Sequence, residues 1–371
     1  MEAEKLARLR ARLRQGRVDC VLLGNPFNVA WLSDYYPAIG HGPDPFAAPP
    51  VLWVGREDCW IVVAAQEESS VPQDGLLVRP YPGYSVADVP DPVGKQAEVL
   101  GQILEEESRP SRVGIEAKSL LAYLQATITV AWPDAEVVPI DGWVDSLRAV
   151  KTEEEVDRLR AACALSDLGQ FRVRELARAG ATEIGIFGEV QATLGRQAGR
   201  QVPVTCNVLA GERTATGGGP SARVVHEGDL VLSDVACRLD GFWGDTCTTF
   251  AVGESPAALR RVFQTVLDVL EMAKEQAKPG VIASDLDNRM RSAIERQGYR
   301  PYFHHSGHGL GVAFHEEPRI VPYSHTVLEP GMVVALEPAV YLPEQGGVRL
   351  EDVVLVKLDG AEVLTTHEKR L

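Results

Sequence analysis

Short apolar runs alternate with amphipathic stretches in the first part of the chain. Leu6, Leu9 and Leu13 recur at the spacing of one helix face. Buried strands are predicted where the sequence is continuously apolar, at 18–23, 51–54, 60–64, 76–78 and 113–115. A Pro/Gly-rich stretch at 37–50 predicts a loop. The alternation of helices and strands predicts an α/β domain over residues 1–148.

Residues 149–371 follow a second pattern, in which two helices precede a hairpin and the same order then recurs. Thr152 is a favoured N-cap residue and three glutamates follow it, so we expect a helix to begin there and to end by Gly180. Thr182 is expected to begin the next helix. Two further helices are predicted at 255–278 and 284–297. Two hairpins are predicted at 229–252 and 332–358. These elements predict an α+β domain.

Each predicted hairpin carries a pair of carboxylates in otherwise apolar strands. Asp234 and Asp245 flank an Asp-Gly turn, so antiparallel pairing brings them opposite each other or one diagonal step apart. Glu337 and Glu351 flank the second turn in the same way. Facing carboxylates repel and need a cation or a shared proton. The alternative is that one member of each pair faces solvent.

A histidine-rich segment supplies another chemical group. Four of the eight histidines lie within twelve residues, at His304, His305, His308 and His315. The glycines between them argue against a helix and indicate a backbone that passes close to another group. The alternative is a polar loop whose histidines are satisfied by their neighbours.

Four carboxylates and one imidazole make an oxygen-rich set of ligands. Two divalent cations carry four positive charges, which four carboxylates balance. Such a set suits a two-metal site for Mn, Co or Zn. The sequence contains no HExxH, GxSxG or GxxxxGK[ST] pattern and no complete GxGxxG pattern.

Composition narrows the range of partners and compartments. The chain has 371 residues, with 37 Lys and Arg against 52 Asp and Glu, a formal net charge of −15. This balance argues against nucleic acid and against a membrane surface, which attract basic patches. The apolar runs of the chain are shorter than the ~20 residues that a membrane-spanning helix needs. The six cysteines are scattered and form no CxxC pair, so we expect reduced thiols and a cytoplasmic location.

An ordered set of five side chains resembles the ligand set of the pita-bread metallopeptidases, namely Asp234, Asp245, His308, Glu337 and Glu351. That family includes prolidase, aminopeptidase P, methionine aminopeptidase and the non-peptidase creatinase. The resemblance lies in GDLVLSD, GDTCTTF, SGHGLGVAFHEEP, EPAVY and GGVRLED, and it covers 150–371. NPFNVAWLSDYYP more loosely resembles the creatinase/prolidase N-terminal domain. The resemblance implies such an α/β domain over 1–148, followed by an α+β pita-bread domain over 149–371.

The same resemblance implies a role for each of the five side chains. Asp245 and Glu351 would bridge two divalent metal ions, with Mn preferred and Zn or Co as alternatives. Asp234 would complete the ligands of one ion. His308 and Glu337 would complete those of the other.

Further positions match groups that contact the substrate in the family. His304 and His315 would line the pocket around the scissile bond. Tyr341 and Arg349 match positions beside the metals or in contact with substrate. As alternatives, Arg349 only pairs with an active-site acid and Tyr341 only packs. A family histidine that precedes the GDLVL strand is replaced here by Gly217.

The Gly-rich stretch around that replacement departs from the family pattern. A mobile loop there could close over the substrate and carry Arg213 with it. The carboxylate of a free dipeptide needs an arginine partner, for which Arg213 and Arg349 are the candidates. Cys247 is a second departure, because the family has Thr at this position.

These roles predict hydrolysis of Xaa-Pro dipeptides by attack of a metal-bridged hydroxide on the scissile carbonyl. His315 would stabilise the oxyanion, Glu337 would pass a proton to the leaving nitrogen, and His304 would help to place the proline. Three alternatives stay open: an aminopeptidase P that acts on longer peptides, a metal-free creatinase-like hydrolase of a small non-peptide, and a binding protein with a relic site. The resemblance also implies a homodimer, with the aromatic segment 31–36 as a candidate contact.

Overall fold

The N-terminal unit, Met1–Arg148, is built on a mixed β-sheet. The computed structural model describes residues 3–37, 44–73 and 75–371. Within the described part of this unit the sheet has six strands: β1 (Cys20–Leu23), β2 (Val51–Val54), β3 (Cys59–Ala64), β4 (Leu77–Tyr81), β5 (Arg112–Ile115) and β6 (Glu136–Pro139). The helices that accompany it are α1 (Ala3–Gly16), α2 (Pro26–Ser33), α3 (Pro92–Glu106), α4 (Ala122–Ala131) and α5 (Trp143–Ala149), with a 3-10 helix at Ala65–Ser70.

The strands of this sheet lie in the order β4-β3-β2-β1-β5-β6. β1 pairs antiparallel with β2 and parallel with β5, so the sheet is mixed. Its core contains Trp53 and Trp132, whose ring centroids lie 5.5 Å apart. The five strands predicted in this unit are confirmed, with ends that differ by at most three residues. Of the predicted loop, 38–43 lies outside the described residues and 44–50 has no helix or strand.

Two aromatic side chains of the segment 31–36 are buried. Trp31 lies in α2 and is 0% exposed, and Tyr35 is 3% exposed. A buried side chain has no surface left for a second subunit. The interpretation of this segment as a loop that contacts a partner is therefore wrong for Trp31 and Tyr35.

The C-terminal unit, Ala149–Leu371, is described throughout. Its helices are α6 (Glu153–Leu176), α7 (Glu183–Ala198), α8 (Arg213–Thr216), α9 (Ala257–Gln276) and α10 (Ala283–Arg296). Its strands are β7 (Val204–Ala210), β8 (Leu230–Leu239), β9 (Phe242–Gly244), β10 (Cys247–Ala251), β11 (Gly307–Gly309), β12 (Glu316–Ile320), β13 (Val333–Leu336), β14 (Ala339–Leu342), β15 (Gly346–Arg349), β16 (Asp352–Lys357) and β17 (Gly360–Val363).

Two sheets of this unit carry one predicted hairpin each. β8 and β10 pair antiparallel beside β7, with β9 continuing the hairpin. The second sheet has the order β12-β11-β13-β16-β17, and β14 and β15 form the tip of its hairpin. α6 and α7 contact the first sheet, and α9 and α10 contact the second. The predicted repetition of two helices and a hairpin is confirmed. Within the described ranges, no helix has both the length and the apolar character needed to cross a membrane.

Helix α6 begins with a capping box. The Oγ1 atom of Thr152 accepts the N–H of Glu155 at 3.3 Å, and the Glu155 carboxylate accepts the N–H of Thr152 at 2.9 Å. A cap of this kind stabilises a helix by about 1 kcal/mol. The helix ends at Leu176, four residues before the expected Gly180, and Thr182 caps α7 as predicted.

All six cysteines of the chain are free and buried. Burial raises the pKa of the Cys237 thiol to about 11 and that of Cys59 to about 12. These two thiols therefore stay protonated near pH 7. The expectation of reduced cysteines agrees with this arrangement.

A buried ion pair ties the start of the unit to the histidine-rich segment. The Nζ atom of Lys151 lies 2.7 Å from Oε1 of Glu316, and the two side chains are 1% and 2% exposed. Glu316 directly follows His315 in the chain. The pair therefore holds the segment that carries His315 against the first residues of this unit.

Replacing Lys151 by Met is expected to lower the free energy of unfolding by about 3–5 kcal/mol, because it removes the ammonium group that lies against the buried Glu316 carboxylate. Urea denaturation followed by circular dichroism measures this loss. The double variant Lys151→Met/Glu316→Leu is the control, and it should recover most of the stability because neither charge remains. Equal losses in the single and double variants would contradict this account.

Candidate active site

The first hairpin brings Asp234 and Asp245 to one face of its sheet. Asp234 on β8 is in register with Cys247 on β10, two residues beyond Asp245. Asp245 lies in the gap between β9 and β10, so it is diagonal to Asp234 across the strand pair. The predicted pairing within one diagonal step is confirmed.

Glu337 and Glu351 lie opposite each other where the second hairpin leaves its sheet. The pairing of β13 with β16 ends one residue before Glu337, and that of β14 with β15 begins two residues after it. The N–H of Glu337 donates to the carbonyl of Ser306, and the N–H of Glu351 donates to the carbonyl of Cys247, both at 2.9 Å. The two glutamates are 6% and 2% exposed, so neither faces solvent.

His308 lies on β11, between β12 and β13. A Cβ atom at Gly307 would lie 2.0 Å from the carbonyl oxygen of Ala335, and one at Gly309 would lie 2.1 Å from that of Glu317. Only glycine permits the neighbouring backbones to come this close. The prediction that these glycines mark a close approach of the backbone is confirmed.

These strand ends gather Asp245, His308 and Glu351 into one buried group. One ligand atom of each residue lies within 4.8 Å of the others. The Nε2 atom of His308 is 3.5 Å from Oδ2 of Asp245 and 3.8 Å from Oε1 of Glu337. Its Nδ1 atom lies 3.0 Å from the carbonyl oxygen of Gly309. With Nδ1–H donating there, Nε2 is the ring nitrogen that faces the carboxylates.

Arg349 lies beside the remaining aspartate. Its Nη2 atom donates to Asp234, and its Nε atom is 3.3 Å from Sγ of Cys247. The same Nε atom is 4.0 Å from Oε2 of Glu337. Arg349 therefore pairs with an active-site acid, and a contact of Arg349 with the substrate stays a prediction. A single guanidinium leaves most of the charge of four carboxylates unbalanced.

Two further histidines and a tyrosine border this group. The Nδ1–H of His304 donates to the carbonyl of His305 at 2.7 Å, and its Nε2 atom lies 3.0 Å from the hydroxyl of Tyr341. The ring centroids of His315 and His308 are 4.1 Å apart. Burial lowers the pKa of His304 to about 4 and that of His315 to about 4. Both imidazoles are therefore neutral near pH 7.

The carboxylates themselves respond to burial in two ways. Burial raises the pKa of Asp234 to about 7, and it also raises the pKa values of Asp245 and Glu351. Burial acts on Glu337 in the same direction, but the hydrogen bond from His305 and the nearby cationic groups outweigh it and hold this pKa at about 2. Three of the four acids therefore resist ionisation in the absence of added positive charge.

The residues of this group fit divalent metal ions. Oδ1 of Asp245 and Oε1 of Glu351 are buried and have no hydrogen-bond partner among the residues that the structure describes. Buried polar atoms are normally satisfied. A divalent cation would satisfy carboxylate oxygens and would cancel the charge that burial disfavours.

Nine of the ten side chains predicted for the site lie in the group of carboxylates and imidazoles or in contact with it. All of them belong to the fully described C-terminal unit. Arg213 lies elsewhere. Its Nε atom donates to both carboxylate oxygens of Glu183 at 3.1 Å, and its Nη2 atom donates to the carbonyl of Gly219 at 2.7 Å. Glu183 is fully buried, so the ion pair gives Arg213 a structural role. A role for Arg213 in substrate binding stays a prediction.

His305 is a residue of the site to which sequence reasoning assigned no role. Its Nε2 atom lies 2.7 Å from Oε1 of Glu337, closer to that carboxylate than His304 or His308. Its place in the histidine-rich segment was the only indication in the sequence. The irregular backbone there gives no period from which the direction of a side chain follows.

A second contact that the sequence did not indicate lies behind Asp245. The next residue, Thr246, has its Oγ1 atom 2.9 Å from Nδ1 of His367. The same Nδ1 atom is 2.8 Å from Oδ1 of Asp167 on α6. The C-terminal segment thus connects α6 to the strand gap that holds Asp245.

Fold and site together define a two-domain enzyme with a buried carboxylate–imidazole centre for divalent metal ions. The chain belongs to metallopeptidase family M24, whose model matches residues 157–357. A model of the creatinase/prolidase N-terminal domain matches residues 5–150. The predicted fold class and the prediction of a metallopeptidase are confirmed.

Relatives resemble the chain over almost its full length. It is 30% identical over 371 residues to the Xaa-Pro dipeptidase of Pyrococcus furiosus, with 99% of each chain covered. Among solved structures, an Xaa-Pro dipeptidase from Bacillus anthracis has a TM-score of 0.85 and 26% identity, and the match covers 99% of this chain and 98% of that one. The prolidase from Pyrococcus furiosus has a TM-score of 0.79 and 28% identity, and the match covers 96% of this chain and 99% of that one.

Asp234 is expected to make a contribution to the stability of the metal-free protein that falls as the pH rises from about 4 to about 7. Burial raises the pKa of Asp234 from 3.8 to about 7, so in this range the folded chain binds a proton that the unfolded chain releases. The free energy of unfolding then falls by up to about 1.4 kcal/mol per pH unit for this one proton. Urea denaturation at several pH values in the presence of a chelator measures the slope.

Asp234→Asn removes this titration, so the free energy of unfolding of this variant should fall less, or rise more, with pH than that of the parent protein. Asp359→Asn removes an exposed carboxylate and is the matched control, with the parent slope expected. Parallel slopes for the parent protein and Asp234→Asn would contradict the assignment.

Proposed function

We propose that this chain is an Xaa-Pro dipeptidase, which hydrolyses the peptide bond before proline in free dipeptides. The observation that carries the proposal is the buried group of Asp245, His308 and Glu351, whose ligand atoms lie within 4.8 Å of one another. The full-length similarity to relatives named Xaa-Pro dipeptidase supports the substrate class. The metallopeptidase family supports the reaction type.

Five side chains would hold two divalent cations. These side chains are Asp234, Asp245, His308, Glu337 and Glu351. When bound, the cations supply a nucleophilic water at neutral pH and polarise the scissile carbonyl. We propose Mn²⁺ as the native ion, because a set of ligands rich in oxygen binds Mn²⁺ more favourably than it binds softer ions.

His315 would stabilise the negative charge that develops on the carbonyl oxygen. Its side chain is exposed, so the imidazole is accessible to a substrate. Partial desolvation of its ring and the neighbouring imidazoles of His308 and His305 lower its pKa to about 4, and the neutral ring then offers one N–H donor and one lone pair near pH 7. A donor placed beside the developing oxyanion lowers the barrier to acyl transfer.

Glu337 and His304 would act on the leaving side. The contact with His305 and the nearby guanidinium of Arg349 hold the pKa of Glu337 at about 2, so its carboxylate is ionised and can accept a proton. It would pass that proton to the leaving nitrogen. Both ring nitrogens of His304 are engaged, one by the carbonyl of His305 and one by Tyr341. Its ring is therefore fixed in orientation and would position the proline.

The remaining parts of the proposal concern the assembly and the location of the protein. We assign residues 1–148 to the N-terminal domain and 149–371 to the catalytic domain. A homodimer in the cytoplasm is proposed from the family resemblance and from the composition. Light scattering after size-exclusion chromatography would test the dimer.

Mn²⁺-loaded protein is expected to hydrolyse Ala-Pro at least about tenfold more efficiently, in kcat/KM, than Ala-Pro-Ala, because a dipeptidase recognises the free carboxylate next to the scissile bond. Chelated protein should be inactive. Preference for Ala-Pro-Ala would favour aminopeptidase P instead. Full activity in metal-free protein would favour a creatinase-like hydrolase, and bound metal without turnover of any peptide would indicate a binding protein.

Arg213→Ala is expected to raise KM for Ala-Pro by about tenfold, the equivalent of one lost charge-assisted hydrogen bond. The residue opens α8, whose Thr214 accepts the N–H of Gly347 on β15 at 2.7 Å, so it lies on an element packed against the tip of the second hairpin. Metal content should not change. Arg223→Ala breaks a comparable pair with Asp229 and is the control. Equal KM values in the two variants would exclude Arg213 from substrate binding.

A further inference from the structure

Three imidazoles converge at the mouth of the site and form a group of nitrogen ligands. One ring nitrogen each of His305, His308 and His315 lies within 4.8 Å of the others. Their ring centroids are 5.2 Å apart for His305 and His308, 5.2 Å for His305 and His315, and 4.1 Å for His308 and His315. This histidine group shares only His308 with the carboxylate group described above.

The histidine group is open to ions from solvent. The side chain of His305 is 29% exposed and His315 is exposed, whereas the side chain of His308 is 3% exposed. An ion that arrives from solvent therefore meets two accessible imidazoles before it meets the buried one.

We propose that His305, His308 and His315 form an alternative position for one metal ion, which Zn²⁺ prefers and Mn²⁺ does not, and that an ion held there keeps the enzyme inactive. The inhibitory part of this inference rests on the proposed Xaa-Pro dipeptidase function. Imidazole nitrogens suit Zn²⁺, whereas Mn²⁺ favours carboxylate and water oxygens. Three protein ligands with an open fourth position are a common arrangement for zinc.

The geometry allows a fourth ligand as well. Oε1 of Glu337 lies 2.7 Å from Nε2 of His305, so a carboxylate oxygen borders the histidine group. Zn–N bonds of about 2.0–2.1 Å place tetrahedral ligands roughly 3.4 Å apart. The ligand atoms, which lie within 4.8 Å of one another, would need to come closer by up to about 1.4 Å to bind one zinc ion.

Occupation of the histidine group would compete with catalysis for two reasons. Nε2 of His308 has one lone pair and can bind only one ion. If it binds an ion in the histidine group, it is no longer available to an ion held by Asp245 and Glu351. His315, once it is a ligand, cannot donate to the carbonyl oxygen of a substrate. The two positions are therefore mutually exclusive, and the identity of the metal decides which of them is filled.

Calorimetric titration of chelator-treated protein with ZnCl₂ and, separately, with MnCl₂ tests the site without any enzyme assay. His305→Ser is expected to weaken binding of the first Zn²⁺ at least about tenfold and to change Mn²⁺ binding less than twofold. His325→Ser removes an exposed histidine that is outside the group, and it should leave both affinities unchanged. Equal effects of His305→Ser on the two metals, or no effect on either, would overturn the proposal.

X-ray absorption of the parent protein with one equivalent of Zn²⁺ provides a readout that needs no variant. Three imidazole ligands are expected, and a single imidazole among oxygen ligands would overturn the proposal. Hydrolysis of Ala-Pro adds the functional arm, in which the ratio of Zn²⁺-supported to Mn²⁺-supported activity should rise at least about fivefold in His305→Ser. An unchanged ratio would refute the inhibitory role. If no Xaa-Pro peptide is hydrolysed, the proposed function fails, and the two binding measurements still decide whether the metal position exists.

Discussion

The burial of four carboxylates around one imidazole is the constraint on which the rest of the catalytic unit depends. Each acid costs free energy when it leaves water, and mutual repulsion adds to that cost. Each hairpin interrupts its ladder at the acids: Asp245 lies between β9 and β10, and Glu337 lies between β13 and β14. A guanidinium offsets part of the charge, since Arg349 contacts Asp234. Divalent cations would offset the remainder, which couples folding to metal binding.

Helix α6 fixes the first pair of acids from behind the sheet. The amide nitrogen of Gln170 donates to the carbonyl of Ser233 at 3.1 Å and to that of Thr246 at 2.7 Å. These carbonyls belong to the residues next to Asp234 and Asp245. One helical side chain thus holds both strands at the positions from which the two carboxylates project. The contact of Asp167 with His367 gives the same helix a second connection to this region.

The spacing of the acids was predictable from the sequence because antiparallel strands have a period of two residues and a turn fixes their register. The partner of Arg213 was not predictable. Glu183 is the first residue of α7, thirty positions earlier, where an acid is already explained by the helix N-terminus. Its burial depends on tertiary packing. The same limit applies to Trp31, whose exposed or buried state follows from the packing around α2 and not from its neighbours in the chain.

His308 belongs to both ligand groups, and this shared membership sets the balance between them. On its inner side lie carboxylates, which favour ions that accept oxygen ligands; on its outer side lie His305 and His315, which favour ions that accept nitrogen. The Nδ1–H of His308 donates to the carbonyl of Gly309, so only Nε2 can bind a metal ion, on one side or on the other. A metallopeptidase built this way selects its metal by where the ion settles as well as by how tightly it binds. Replacing the ring at 305 would remove one ligand of the outer position together with its contact to Glu337, while all four carboxylates remain in the sequence.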